Sequence, residues 1–406
     1  MKISQKLITL LLIIFLIVPT FCFADDELLD DLEEFEVYEA SNLSTEEPTT
    51  NSKSIIAIDR KTLSILYEKN AYNKVPMAST TKIMTCIVAL ENSSLNDIVT
   101  VSKKAASVHG STLGLITDMQ ISMNDLLYGL MLRSGNDCAI AVAEKISGSV
   151  ENFAILMNQK AKELGLENTN FVTPHGLDDE NHYTTPYDLA ILTDYALKNE
   201  KFKNIVATKT CTISFNGYPC TISNTNELLG NLEGVYGVKT GFTFEAGRCL
   251  VSACKRNDLD IIVVVLGADT KKIRTTDSAN LINYIFNNFK YVNVSSTINK
   301  SFSDYTTYFN KNYFLEKTTD TPILKLENLD NYYFPLETNG SVQLATKIYT
   351  INKFSSNISK GTQIGKLYLY NNNNLLCEAN ITLENELSKN TWNYYFWYII
   401  KNFCKI

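Results

Sequence analysis

From Ile83 to Leu90 the chain reads Ile83-Met84-Thr85-Cys86-Ile87-Val88-Ala89-Leu90, a run apolar enough that a helix built from it must be buried in a core. Pro76 and a short polar lead-in precede it, as at a helix start. Lys82 heads this run, so an amine stands at the edge of the core. Ser79 lies on the same helical face and brings a hydroxyl within reach of that amine. A serine hydroxyl is a poor nucleophile until a base takes its proton. A lysine amine serves as that base only where burial or neighbouring cations keep it neutral part of the time. The helix N-terminus adds free backbone N–H groups at the same spot. Taken alone, Ser79-Thr80-Thr81-Lys82 also fits the start of an ordinary surface helix, so further partners must decide.

Two later stretches supply them, in order along the chain: Ser134-Gly135-Asn136 and Lys239-Thr240-Gly241. S-x-x-K followed by S-D-N and K-T-G is the three-part signature of penicillin-binding proteins and class A β-lactamases; glycine stands here where the middle motif has aspartate. The contexts are Met77-Ala78-Ser79-Thr80-Thr81-Lys82, Leu132-Arg133-Ser134-Gly135-Asn136-Asp137 and Gly237-Val238-Lys239-Thr240-Gly241-Phe242-Thr243. They resemble the low-molecular-weight penicillin-binding proteins that act as D-alanyl-D-alanine carboxypeptidases, over a span of roughly residues 51 to 385.

The resemblance implies a role for each residue. Ser79 attacks the carbonyl of the terminal D-Ala-D-Ala bond of a peptidoglycan stem peptide, and Lys82 receives its proton. Ser134 and Lys239 relay a proton to the departing amine, and Asn136 holds the substrate amide or Lys82. The backbone N–H groups of Ser79 and Phe242 stabilise the oxyanion, and Gly241 lets the substrate backbone lie close. Thr240, Lys239 and Arg274 meet the terminal carboxylate, and β-lactam antibiotics are covalent inhibitors. The plainer alternatives are a helix cap for Ser134 and a surface arginine at a helix start for Arg274. Class A β-lactamases use an additional glutamate with an asparagine four residues on. Glu163 is the candidate here, but Glu167 stands in the asparagine's place and Glu163-Leu164-Gly165 reads as a helix end, which leaves Lys82 as the deacylating base. A β-lactamase or endopeptidase of the same fold, and a catalytically silent peptidoglycan-binding protein, are the competing readings.

Met1 to Lys6 is basic, Leu7 to Val18 is apolar and Cys22-Phe23-Ala24 ends in a small residue, the pattern of a signal peptide over 1–24. The apolar run falls short of the about 20 residues that a spanning helix needs. Residues 25–52 are acidic and polar and read as a disordered tether. Their acids outnumber the formal net charge of −7, so that charge says little about partners of the folded part, and nothing points to nucleic acid. The eight cysteines beyond Cys22 show no C-x-x-C spacing. A two-residue hairpin at Asn216-Gly217 pairs Cys220 with Ile213 and leaves Cys211 diagonal. His109, His175 and His182 lack the spacing of a zinc peptidase. Instead Thr173-Pro174-His175-Gly176-Leu177-Asp178 and His182-Tyr183-Thr184-Thr185 resemble a structural loop of the same family, where the histidine ties loop to core. No cofactor and no metal are expected.

Ser54 to Asp59 and Ser64 to Glu68 read as strands about an Arg60-Lys61 turn. Helical patterns follow at Met123 to Leu132, Asp137 to Ile146, Asn152 to Leu164 and Pro186 to Leu197. Strands come next at Thr210 to Phe215, Gly237 to Gly241, Arg248 to Ala253 and Ile261 to Leu266, then an amphipathic helix from Asp277 to Phe289. Early and late strands joined in one sheet, with helices inserted between, give an α+β fold. The resemblance implies the serine transpeptidase or β-lactamase-like sheet with a helical subdomain, in a catalytic domain of residues 53–290. Residues 291–387, with strands expected at Thr306 to Phe309, Ile323 to Leu326, Val342 to Ile348, Lys366 to Tyr370 and Leu375 to Leu383, resemble the small all-β sandwich that follows it. Residues 388–406 hold both tryptophans of the chain, Trp392 and Trp397, and read as an amphipathic helix lying on a membrane surface. Export to the outer face of the bacterial cytoplasmic membrane is the expected location.

Overall fold

The computed structural model describes residues 47–403, apart from 216, 313, 316–320, 330–331, 339–343, 352, 355–356, 372–373 and 389–391. The expected signal peptide and most of the acidic tether lie outside the described residues. The tether's expected end does not hold. Asn51 N and Ser52 N donate to Asp277 Oδ2 at 2.9 and 2.8 Å, and Ser52 Oγ does so at 2.6 Å. A buried carboxylate thus fixes the backbone before Lys53. The described residues form two compact units, Glu47–Arg60 with Tyr67–Asn283, and Lys61–Leu66 with the chain from Tyr284 on.

From Ser54 the chain forms β1 (Ser54–Asp59), in the first unit, and β2 (Ile65–Lys69), whose residues from Tyr67 on belong to that unit. A 3-10 turn over Ala78–Thr81 leads into α1 (Lys82–Asn92). Next come β3 (Ile98–Thr100), α2 (Lys103–Ala106), β4 (Gln120–Ser122), α3 (Met123–Leu132), α4 (Asn136–Ser147), α5 (Val150–Glu163), α6 (Pro186–Leu197) and α7 (Glu200–Val206). The hairpin β5 (Thr210–Phe215) and β6 (Tyr218–Ser223) precedes β7 (Val235–Thr243), β8 (Gly247–Arg256), β9 (Leu259–Ala268) and α8 (Lys271–Asn288). The sheet order is β2-β1-β9-β8-β7, so the first strands of the unit join its last ones and the helical block is an insertion. Every residue of β1 is buried, as a continuous apolar strand covered on both faces should be, and it pairs antiparallel with β9 from Ser54 opposite Leu266 to Asp59 opposite Ile261. The helices start where the sequence supplies caps: Ser122 Oγ accepts from Asp125 N, Ser149 Oγ from Asn152 N, and Thr185 Oγ1 from Asp188 N ahead of Pro186. In the hairpin Ile213 faces Cys220 and Cys211 faces Ile222, and both cysteines are free.

The second unit contains β10 (Phe289–Asn293), α9 (Ser295–Asn312), β11 (Phe314–Leu315), β12 (Leu324–Glu327), β13 (Tyr333–Glu337), β14 (Leu344–Thr350), β15 (Lys353–Phe354), β16 (Gln363–Asn371), β17 (Asn374–Leu383) and α10 (Trp392–Phe403). Its main sheet has the order β12-β17-β16-β14. The strand expected at Thr306 to Phe309 is instead the last part of α9. Ile298, Phe302, Tyr305 and Phe309 recur at helical spacing and reach one core with Leu367, Leu369 and Ile381. That 3.6-residue period overrides the strand preference of threonine and tyrosine.

Candidate active site

The 3-10 turn that carries Ser79 is held by its own threonines. Thr80 Oγ1 donates to Met77 O at 2.6 Å and Thr81 Oγ1 to Ala78 O at 2.8 Å. Ala78 adopts φ +47°, a left-handed conformation that a non-glycine residue holds only when its surroundings fix it. Lys82 begins α1 in a buried position. Its Nζ donates to Ser79 Oγ at 2.7 Å, to Asn136 Oδ1 at 2.7 Å and to the His175 carbonyl at 2.9 Å. Hydroxyl and amine are therefore in direct contact, and Asn136 aims the amine from the opposite helix.

Ser134 is buried at φ +61° between α3 and α4. Asn136 opens α4, and both ends of its amide are assigned by chemistry: Oδ1 accepts from Lys82, while Nδ2 donates to His109 O at 2.8 Å. Asp137, which no motif singles out, anchors the loop above them. Its carboxylate accepts from the backbone N–H groups of Leu113, Gly114 and Leu115, each at 2.9 Å.

β7 is the edge strand on this side of the sheet and brings Lys239, Thr240, Gly241 and Phe242 to the turn that carries Ser79. A Cβ on Gly241 would lie 3.0 Å from Ser79 N and 3.2 Å from Thr80 N, so the strand backbone packs on the backbone amide of Ser79. Lys239 and Thr240 are buried, with Lys239 Nζ donating to Thr240 O at 3.0 Å and Thr240 Oγ1 hydrogen-bonded to Thr225 Oγ1 at 2.7 Å. Thr225 N also donates to Leu132 O. This threonine links the third motif to the approach of the second, and its loop position gave no sequence signal. The Phe242 ring is covered by the Arg248 guanidinium, 3.8 Å from its centroid, and meets Phe244 edge-on.

Arg274 lies in α8 and is 1 % exposed, with Nη2 2.7 Å from Glu227 Oε2. Burial by itself would raise the Glu227 carboxyl, but the Arg274 and Lys271 cations outweigh it and hold the group below its ordinary value. The described contacts thus tie Arg274 to the Thr225-to-Glu227 segment behind Thr240, whereas Ser79, Lys82 and Asn136 touch one another directly.

Both buried histidines are neutral. Burial, and then the Lys82 charge, push His175 down to about 3, and its Nδ1 accepts from Leu177 N at 3.2 Å. Burial pushes His182 down to about 4; its Nδ1 accepts from Val172 N at 3.0 Å and its Nε2 contacts Thr81 Oγ1 at 2.8 Å. Glu163 ends α5, is mostly exposed and pairs with Lys160 at 2.7 Å, a surface ion pair on that helix.

This geometry can be set beside known proteins. Residues 41–270 match the family described as D-alanyl-D-alanine carboxypeptidase, Peptidase_S11. The D-alanyl-D-alanine carboxypeptidase DacF of Bacillus subtilis (strain 168) is 34% identical over 351 residues, which cover 85% of this chain and 88% of that protein. Penicillin binding protein 5 from Haemophilus influenzae aligns with a TM-score of 0.67 at 28% identity, over 85% of this chain and 99% of that structure. The Streptomyces K15 DD-transpeptidase aligns with a TM-score of 0.57 at 35% identity, over 59% and 98%. The chain belongs to the D-alanyl-D-alanine carboxypeptidase family.

Proposed function

We propose that this protein is a serine-type D-alanyl-D-alanine carboxypeptidase that removes the terminal D-alanine of peptidoglycan stem pentapeptides through an acyl-enzyme on Ser79, the hydroxyl that β-lactams also acylate. The observation that carries this reading is the contact of Lys82 Nζ with Ser79 Oγ at 2.7 Å, aimed by Asn136 Oδ1 at 2.7 Å, beside the edge strand that bears Lys239-Thr240-Gly241. Ser79 Oγ forms a bond to the scissile carbonyl carbon as its proton passes to Lys82. The N–H groups of Ser79 and Phe242 receive the negative oxygen. Breaking the C–N bond releases D-alanine, whose amine takes, through Ser134 and Lys239, the proton that Lys82 had received, which leaves Lys82 neutral again. Water, activated by Lys82, then hydrolyses the ester. The terminal carboxylate meets Thr240 and Lys239, with Arg274 adding positive charge from α8.

Incubating the protein with a synthetic stem pentapeptide and following the mass of the peptide tests the activity: the expected product lacks one D-alanine. A fluorescent penicillin should label the parent covalently and leave Ser79→Ala unlabelled. Persistent labelling of that variant sinks the serine assignment.

The location is part of the same proposal. The basic start and apolar run to Val18 support export, and α10 supports attachment to the membrane surface. Trp392, Phe396, Ile399 and Phe403, at helical spacing on one side, are 80%, 46%, 54% and 85% exposed. Among the described residues no helix is long and apolar enough to cross a membrane. An apolar helical face left open to solvent beside Lys401 suits the plane of a lipid headgroup layer.

A further inference from the structure

The peptide unit between Ala78 and Ser79 carries two groups that matter to the reaction. Its N–H is the oxyanion donor assigned to Ser79 above. Its C=O points the opposite way, because a trans peptide is planar, so whatever fixes the Ala78 carbonyl also fixes the direction of the donor. Thr81 Oγ1 donates to that carbonyl at 2.8 Å. With its hydrogen committed there, Thr81 Oγ1 can only accept from its other neighbour, His182 Nε2, at 2.8 Å. The imidazole is compatible with this direction, since Nδ1 accepts from Val172 N at 3.0 Å and the ring proton is therefore on Nε2. The chain of bonds runs one way: Val172 N–H to His182, His182 to Thr81, Thr81 to Ala78 O. Both His182 and Thr81 are buried.

The same loop closes on the carbonyl from a second side. A Cβ on Gly176 would come within 2.0 Å of Ala78 O, and Gly176 takes φ +87°. Asp178 Oδ1 accepts from Thr243 Oγ1 at 2.5 Å, so the loop is also fastened to the end of β7. Ala78 itself sits at φ +47°, a conformation that relaxes unless it is held.

We infer that His182 is a positioning residue for the oxyanion hole, acting through Thr81 to hold the Ala78–Ser79 peptide plane with its N–H aimed at the reacting carbonyl oxygen. The inference rests on the acyl-enzyme reading of Ser79. An oxyanion donor works in the transition state more than in the bound ground state. Its misalignment therefore lowers kcat and leaves KM nearly unchanged, an effect that a loop anchor without this role does not have.

The test uses two pairs of variants of the full chain. Glutamine places its amide nitrogen as many bonds from Cβ as Nε2, so His182→Gln keeps a donor to Thr81. Asparagine places its oxygen where Nδ1 stands, so His182→Asn keeps the Val172 tie and loses Thr81. His182→Asn should lower kcat by about tenfold or more with KM within about threefold, while His182→Gln stays within about threefold of the parent in both. Thr81→Val should repeat the kcat loss and Thr81→Ser, which keeps the hydroxyl, should not. Thermal melts separate these effects from unfolding, and the threonine pair alone decides the matter if His182→Asn does not fold. Parental kcat in His182→Asn or in Thr81→Val overturns the inference, as does a loss confined to KM. A parent that no penicillin labels would instead fail the acyl-enzyme reading on which the inference stands.

Discussion

Lys82 keeps its amine among neutral acceptors, Ser79 Oγ, Asn136 Oδ1 and the His175 carbonyl, and a base in that place must be able to lose its proton. Arginine cannot. Lys82→Arg should slow penicillin acylation by about a hundredfold or more, measured as the labelling rate at fixed antibiotic concentration; a near-parental rate would mean that another group accepts the proton. Arg274 poses a different question, because its guanidinium already has a carboxylate partner in Glu227 at 2.7 Å. A substrate carboxylate gains from this cation only as far as the Glu227 pair leaves charge to spare. Arg274→Ala should reduce kcat/KM for D-Ala-D-Ala peptides at least about tenfold more than for ester analogues without the terminal carboxylate. Equal losses on both substrates would reassign Arg274 to structure, where removing it leaves the half-buried Glu227 with Lys271 as its described ion-pair partner.

The loop from Val172 to His182 is the element on which the first motif leans, since it supplies the His175 carbonyl to Lys82 and the His182 ring to Thr81. Gly176→Ala should therefore be severe: alanine disfavours φ +87° and its methyl meets the Ala78 carbonyl. A destabilisation of at least about 2 kcal/mol is expected in denaturant melts, with slower acylation in the fraction that folds. An unchanged melt would show that the loop can move away freely. The same loop sets an acid limit. His182 titrates near 4 when folded and near the ordinary value of 6.5 when unfolded, so its contribution is complete above about pH 6.5 and is lost as pH falls toward 4. Linkage puts the loss at about 2 kcal/mol by pH 5, and His175, depressed further by burial and the Lys82 charge, adds to it in the same direction. His182→Gln should flatten the decline between pH 7 and 5 relative to the parent. Parallel declines would assign it to other groups.

At the scale of the whole molecule, two compact units carry the candidate active site in the first and, at the end of the second, a helix whose apolar side is open. Trp392 and Trp397 are 80% and 65% exposed, which is costly in water and favourable at a headgroup boundary. In liposome flotation with anionic lipid, the protein without residues 1–24 should float, and removal of residues 388–406 should leave it in the soluble fraction. If both forms stay soluble, α10 is not an anchor.

Much of this was legible in the chain itself. The apolar run after Lys82 required a buried helix, the i to i+3 spacing put Ser79 on the face of Lys82, and the patterns at Met123 to Leu132 and Pro186 to Leu197 marked helices that the fold contains, because these are local relations of the backbone. The three motifs carried a resemblance to a known family, and that resemblance implied the reaction, since each motif lies within a few residues and is visible without the fold. Local pattern failed where two periods competed: Thr306 to Phe309 has strand-forming residues, yet Ile298, Phe302, Tyr305 and Phe309 fill a core only as a helix. It also failed where a buried polar group chose a distant partner. Asp277 fixing Ser52, Glu227 holding Arg274, Thr225 bridging to Thr240, Asp137 gathering Leu113 to Leu115 and His182 reaching Thr81 all join segments far apart in sequence. The pairing of the Ser79 hydroxyl with the Lys82 amine was written locally, whereas its surroundings were set by the tertiary structure, because burial obliges each polar group to find a partner and only the fold decides which one stands nearby.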